Sequence, residues 1–155
     1  MNGVERPVSF PVKDLNEKRM EIVQSLAKWK RLKITELGLE PGFGIYTDMN
    51  ALRPDEELDA LHSIYVDQWD WEVAIDEKDR TVFYLHDIVK KVYRCIKRCE
   101  FFLYDRYPAL KPVLPPEIKI LFSEDLQEQY PNLTPKEREV KVTKQYGAVF
   151  ITGIG

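Results

Sequence analysis

The chain has little cysteine and little net charge. Its 155 residues include only two cysteines, Cys95 and Cys99, which are too few for a disulfide framework. A reducing cytoplasm is therefore the expected location. The formal charge of -3 argues against a general affinity for the phosphate backbone of nucleic acids. We therefore expect no nucleic-acid partner.

Long apolar runs are also missing. No stretch approaches the roughly 20 residues that a membrane-spanning helix needs, and the first ten residues, MNGVERPVSF, lack the apolar core of a secretory signal. What is present is ordinary for a globular protein, with 44% hydrophobic and 32% charged residues. These features predict a soluble chain with a buried core and no membrane partner.

The two cysteines lie four residues apart within a helical pattern, so they share one face of the predicted helix. Only His62 and His86 could complete a metal site with them, and nothing in the pattern aligns these histidines with the pair. We therefore interpret Cys95 and Cys99 as small core side chains, and we predict no metal ligand in this chain.

Helical and strand periodicities alternate along the chain, and no linker divides it, so we predict one domain over residues 1–155. The predicted elements are a hairpin of 8–12 and 20–25, a helix over 26–37, an antiparallel pair of 45–53 and 63–72, a helix over 81–104, a strand over 118–122, a short helix capped by Ser123, a helix over 135–146 opened by a capping box at Thr134, and an apolar strand over 148–155. Because the chain opens on a turn and an edge strand and ends on an apolar strand, we expect it to be truncated at both ends.

The densest polar group lies on the second strand of the predicted pair. Period-two alternation sends Gln68, Asp70 and Glu72 to one face of this strand. Leaving such groups buried without partners costs about 1–3 kcal/mol each, so a ligand or basic side chains must lie opposite them. Arg53 ends the preceding strand and Lys30 lies in the helix before it, so we expect these cations to converge with the polar row on one cleft.

Two interpretations of this cleft stay open at this point. Arginine is suited to a bidentate grip on phosphate or carboxylate, and a glutamine beside aspartates can bind an ammonium group. The row could therefore recognise an amino acid next to a nucleotide phosphate. It could equally be a solvated hairpin face with a cross-strand salt bridge.

Several long, tryptophan-rich strings carry a resemblance to a known family. They are SLAKWKR over 25–31, ALRPDE over 51–56, YVDQWDWE over 65–72 and GAVF over 147–150. In this order, and spread over nearly the whole chain, they resemble ammonia-dependent asparagine synthetase, that is, aspartate–ammonia ligase. That family is similar to the catalytic core of class II aminoacyl-tRNA synthetases. The resemblance implies an α+β fold with an antiparallel sheet flanked by helices.

The resemblance also implies a reaction and its partners. ATP would activate the side-chain carboxylate of aspartate as an aspartyl adenylate with loss of pyrophosphate, and ammonia would then displace AMP to give asparagine. Magnesium would accompany the nucleotide through ligands outside this chain, and the complete enzyme would be a homodimer. The alternative is a synthetase-like paralogue or an inactive fragment that binds aspartate or asparagine without ligating ammonia.

Site residues are implied position by position. Arg53 matches the arginine that holds the α-phosphate and the reacting carboxylate, and Lys30 is the expected partner of a substrate carboxylate, so these two are the catalytic candidates. The substrate-binding candidates are Ser25, Gln68, Asp70 and Glu72, and the nucleotide-binding candidates are Arg53, Asp55 and Glu56. The family extends beyond this chain in both directions, so ATP binding by the chain alone is expected to be incomplete.

Overall fold

A computed structural model of the chain describes residues 6–154 and shows a mixed fold of helices and strands. The described strands are β1 (Ser9–Val12), β2 (Lys18–Glu21), β3 (Gly44–Leu52), β4 (Tyr65–Val73), β5 (Lys119–Phe122) and β6 (Val149–Thr152). The described α-helices are α1 (Ala27–Glu36), α2 (Val82–Arg106), α3 (Ser123–Gln129) and α4 (Pro135–Tyr146). Two compact units divide between Glu77 and Lys78. The single domain over residues 1–155 stays a prediction.

The first unit is built from two hairpins and one helix. Strands β1 and β2 pair antiparallel, which confirms the first predicted hairpin. Its second strand begins two residues earlier and ends four residues earlier than predicted. Its turn places Asn16 and Glu17 at φ angles of 54° and 59°, a left-handed region in which asparagine is enriched among non-glycine residues. The chain then enters α1, which contacts both strands of the second hairpin.

The second hairpin positions the polar row. Strands β3 and β4 pair antiparallel, with Thr47 opposite Asp70 and Met49 opposite Gln68. The predicted alternation is confirmed: Gln68, Asp70 and Glu72 are half-buried, whereas the residues between them are exposed. The polar row therefore lies on the inner face of the hairpin, where α1 also contributes the fully buried Lys30.

Helix α2 is the first long element of the second unit, and two of its side chains form hydrogen bonds with the proline-rich segment that follows it. The hydroxyl of Thr81 accepts a hydrogen bond from the Tyr84 N–H at 3.2 Å and so caps the helix. From the helix, the Tyr93 hydroxyl and the Lys97 Nζ donate to the carbonyl of Pro115 at 2.6 and 2.9 Å. The predicted long helix is confirmed and ends two residues later than expected.

The prediction that the two cysteines are buried core side chains is wrong. Cys95 and Cys99 are both exposed, although they do share a face of α2. The residues of α2 that are buried are Val89 and Tyr93. Helical periodicity identifies side chains that share a face, but it does not say whether another element covers the whole of that face.

The last part of the second unit is a crossover between parallel strands. Strand β6 pairs parallel with β5, from Lys119 opposite Val149 to Phe122 opposite Thr152. Parallel neighbours need a long connection, and α3 and α4 supply it here. The described strands therefore form three two-stranded sheets, two antiparallel and one parallel. The predicted mixture of helices and antiparallel strands is confirmed, and the class II synthetase-like core stays a prediction.

The two helices of the crossover begin differently. At α4 the predicted capping box is confirmed: the Thr134 hydroxyl accepts from the Glu137 N–H at 3.3 Å, and the Glu137 carboxylate accepts from the Thr134 N–H at 2.8 Å. At α3 the prediction of a Ser123 cap is wrong, because Ser123 is the first helical residue and its hydroxyl donates to the Gly153 carbonyl at 2.7 Å.

Among the described residues, no helix combines the length and the apolar character needed to cross a membrane.

Candidate active site

A buried lysine on α1 is held by two groups of the second hairpin. The Lys30 side chain is 0% exposed, and its Nζ forms an ion pair with the Asp70 Oδ1. The same Nζ donates to the Thr47 Oγ1 at 3.0 Å, and the Thr47 hydroxyl donates to the Asp70 Oδ1 at 2.6 Å. A lysine is rarely buried without a partner. These contacts confirm that a basic side chain lies opposite part of the polar row.

The charge on Asp70 follows from these contacts. Hydrogen bonds from Lys30 and from Thr47 stabilise the carboxylate and hold the pKa of Asp70 below its ordinary value. The Asp70 side chain keeps 25% of its surface exposed, so the anion is fixed in place and still accessible. Asp70 can therefore present a negative charge to a cationic group.

Glu72 lies two residues after Asp70 on the same face of β4 and has a different basic partner. The Arg31 Nε lies 3.3 Å from the Glu72 Oε1, and the Arg31 side chain is 65% exposed. Such a solvent-exposed ion pair stabilises a protein by about 1 kcal/mol at most. The role of Glu72 in substrate binding stays a prediction.

Gln68 has an acceptor without a donor. Its Oε1 is buried and has no hydrogen-bond partner among residues 6–154. A buried carbonyl oxygen left in this state costs about 1–3 kcal/mol. The most direct explanation is a donor from outside the described residues. Gln68 lies two residues before Asp70 on the same face of β4.

The other predicted residues lie where the hairpin turns. Gln24, Arg53, Pro54, Asp55 and Glu56 line a cavity of about 110 Å³. Arg53 is half-buried, and within the described residues its guanidinium has neither an ion pair nor a hydrogen bond. Arg53 is therefore a cation available to an anionic ligand in this cavity.

Asp55 already has a partner. The Arg6 Nε donates to the Asp55 Oδ1 at 2.9 Å, and this hydrogen bond holds the pKa of Asp55 below its usual range. The two residues are 49 positions apart in the chain, and no local pattern indicates that they meet. Sequence reasoning therefore missed Arg6, while the nucleotide contacts predicted for Asp55 and Glu56 stay predictions.

Strand geometry separates the two candidate cations. Lys30 contacts Thr47 on β3. Arg53 lies six residues after Thr47, a separation of about 20 Å along an extended strand. The pairing continues to this point, because the Arg53 N–H donates to the Ile64 carbonyl at 2.8 Å. Instead of converging at one point, the candidates follow an elongated face on which Gln68, opposite Met49, lies between them.

Ser25 lies at the start of α1, and its hydroxyl accepts a hydrogen bond from the Ala27 N–H at 3.1 Å. This contact fixes the entry into the helix that carries Lys30. The predicted contact of Ser25 with a substrate stays a prediction. Thr47, in contrast, was missed by sequence reasoning, because its position opposite Asp70 depends on the exact register of the hairpin.

The described residues contain no cluster of metal-ligating side chains. Nowhere in residues 6–154 do three or more His, Cys, Asp or Glu side chains come together in a way that could hold a metal ion. The expectation that the magnesium ligands lie outside this chain stays a prediction, and we derive no step through the metal.

Comparison with known proteins identifies the family. A family model described as aspartate–ammonia ligase matches residues 1–155. Proteins with the same name are 55% identical to the chain in Parabacteroides distasonis, 56% in Bacteroides thetaiotaomicron and 51% in one Clostridium perfringens strain, each over 155 residues and 100% of the chain. The chain spans 45–46% of the length of these relatives. It belongs to the aspartate–ammonia ligase family.

Proposed function

We propose that this chain is the part of an aspartate–ammonia ligase that binds aspartate and the phosphate of ATP. The observation that carries the proposal is the unsatisfied Oε1 of Gln68 beside the ionised and partly exposed Asp70. Family membership supports it, because relatives with that name match the chain along its whole length. The proposal includes a class II synthetase-like core, a cytoplasmic location and a homodimer for the complete enzyme.

The aspartate pocket is proposed to form on the inner face of the second hairpin. The α-ammonium group of an amino acid can only donate hydrogen bonds, and Asp70 and Gln68 offer acceptors one alternation apart on that face. The carboxylate supplies the opposite charge, and the amide oxygen supplies a second, directional acceptor. Ser25 and Glu72 would border this pocket.

The main role proposed for Lys30 is to bind Asp70 rather than the substrate. Its ammonium has three N–H groups, of which one meets Thr47 and another is directed at Asp70. Contact with a substrate carboxylate would depend on the third. Through the first two contacts, Lys30 keeps Asp70 ionised and fixed.

Arg53 is proposed to act in the adenylation step. An oxygen of the aspartate side-chain carboxylate attacks the α-phosphorus of ATP, and the bond to pyrophosphate breaks. The planar guanidinium of Arg53 can hold the phosphate and the carboxylate together and stabilise the charge that develops between them. Asp55 and Glu56, which line the same cavity, would lie near the nucleotide.

Ammonia completes the reaction. It attacks the acyl carbon of the aspartyl adenylate, the bond between that carbon and the AMP oxygen breaks, and the nitrogen loses a proton to solvent. The products are asparagine and AMP. This step consumes no second ATP, so one AMP and one pyrophosphate are expected for each asparagine.

The proposed function is tested with the full-length protein, aspartate, ATP and ¹⁵N-labelled ammonium. We expect labelled asparagine together with equal amounts of AMP and pyrophosphate, measured by NMR and nucleotide chromatography. Formation of ADP and phosphate would contradict the adenylate mechanism. Aspartate binding without any asparagine would instead favour a synthetase-like paralogue, and added tRNA would then show whether the protein charges it.

Replacing Gln68 by alanine is expected to weaken aspartate binding. The variant removes one acceptor for the substrate ammonium, so the KM for aspartate should rise by about tenfold or more, whereas the KM for ATP should change little. Discrimination against other acids should relax as well. Steady-state ligation assays with each substrate varied in turn measure these effects.

The matched control is Gln145→Ala, because Gln145 is an exposed glutamine on α4. We expect wild-type constants for this variant. An unchanged KM for aspartate in a folded Gln68→Ala protein would remove Gln68 from the proposed pocket.

A further inference from the structure

The contacts that the other described residues make with the Asp70 carboxylate go to one of its two oxygens. The Lys30 ammonium and the Thr47 hydroxyl both contact Oδ1. Among residues 6–154, no other residue donates a hydrogen bond to Oδ2. Oδ2 is therefore the oxygen left without such a contact, and the side chain as a whole is 25% exposed.

The hydrogen-bond directions around Thr47 follow from chemistry. A lysine ammonium only donates, so the Thr47 Oγ1 accepts from Lys30 at 3.0 Å. The single hydroxyl hydrogen is then free for the Asp70 Oδ1, which lies 2.6 Å away. Threonine is also stiff at its first side-chain torsion. The side chain of Thr47 is therefore held in one orientation between Lys30 and Asp70.

Each of the two contacts on Oδ1 contributes something different. Lys30 supplies the compensating charge, but an ammonium on a flexible stem sets little direction. With Lys30 alone, the carboxylate could turn about its Cβ–Cγ bond and offer either oxygen to the cation. The hydroxyl directly opposite in the strand register gives a second, directional contact, which fixes the plane of the carboxylate.

We propose that Thr47 is a positioning residue that anchors the Asp70 Oδ1 and thereby presents Oδ2 to the ammonium group of the amino-acid substrate. The inference deepens the proposed function and rests on it. Thr47 itself does not touch the substrate. Its contribution is to the affinity for aspartate, and it leaves the later chemistry at the side-chain carboxylate unaffected.

The test compares Thr47→Val, which removes the hydroxyl at nearly constant shape, with Thr47→Ser, which keeps it. In the full-length protein, aspartate binding is measured by calorimetry, and KM and kcat are measured by ligation assay. We expect Thr47→Val to weaken binding and raise the KM for aspartate by about 10- to 100-fold, with kcat at saturating aspartate nearly unchanged. Thr47→Ser should restore binding to nearly the wild-type value.

The matched control is Thr35→Val. Thr35 is exposed, and its hydroxyl donates only to the Arg31 carbonyl of its own helix, so wild-type aspartate binding is expected. If Thr47→Val does not fold, Thr47→Cys replaces it, because a thiol is a much weaker donor than a hydroxyl. The same loss of affinity is expected for Thr47→Cys.

The two measurements separate the inference from the proposed function. If Thr47→Val lowers the melting temperature but binds aspartate like the wild type, Thr47 is only structural and the inference is wrong. A wild-type protein that binds aspartate without forming asparagine overturns the ligase proposal, while the binding comparison still decides the role of Thr47. A wild-type protein that does not bind aspartate overturns both.

Discussion

Arg53→Lys in the full-length protein is expected to slow aspartate-dependent exchange between ATP and pyrophosphate by about two to three orders of magnitude, or about 2.7–4 kcal/mol, by analogy with the loss of one preorganised donor to a developing charge. Lysine keeps the positive charge but loses the planar fork that can hold phosphate and carboxylate together. Both of those groups change their charge during adenylation, so the effect should fall on the rate.

The structure makes this expectation specific. The guanidinium of Arg53 is half-buried in a cavity of about 110 Å³ and has no ion pair within the described residues, so replacing it breaks no salt bridge there and should leave the protein folded. Arg98→Lys, on the exposed surface of α2, is the matched control and should exchange at the wild-type rate. Near wild-type exchange by Arg53→Lys would rule out the role assigned to Arg53.

Lys30→Met is expected to lower the free energy of unfolding by about 3 kcal/mol. This is the lower end of the range for breaking a buried ion pair, because Asp70 keeps 25% exposure and can regain some water. Among the other described residues, the variant leaves the Thr47 hydroxyl as the one remaining hydrogen-bond donor to the Asp70 carboxylate. Urea denaturation of the full-length protein, followed through its tryptophan fluorescence, measures the change.

Two further variants show whether the loss comes from the orphaned charge. Arg31→Met removes the neighbouring cation, which is 65% exposed, and should cost less than about 1 kcal/mol. Combining Lys30→Met with Asp70→Asn removes the uncompensated anion and should recover part of the stability. Equal losses for Lys30→Met and Arg31→Met would contradict the ion-pair explanation.

The sequence predicted the features that depend on neighbouring residues. The capping box needs only Thr134 and Glu137, and all of its contacts lie within one turn. The length of α2 follows from its apolar spacing, and the inner face of β4 follows from the alternation that places Gln68 and Asp70 together. Such signals are carried by steps of two to four residues, so they can be read along the chain.

Partners that are distant in the chain could not be predicted in the same way. The contact between Arg6 and Asp55 joins residues 49 positions apart, and Thr47 meets Asp70 across 23 positions. Predicting the second contact requires the exact register of the hairpin, and a slip by one residue would place every side chain on the opposite face. The sequence indicated that a ligand or basic side chains must lie opposite the polar row, but not which acceptor each basic side chain meets.

The sequence by itself therefore determined the order of the helices and strands and the polar character of the inner hairpin face, because both depend on local spacing and backbone preference. Only the tertiary structure decided that Lys30 is buried against Asp70, while Arg53 lines the cavity at the turn without an ion pair among residues 6–154. It also decided that Cys95 is exposed and that β6 runs parallel to β5. The physical reason is that burial and pairing depend on which distant segment covers a face, and this depends on the packing of the whole chain.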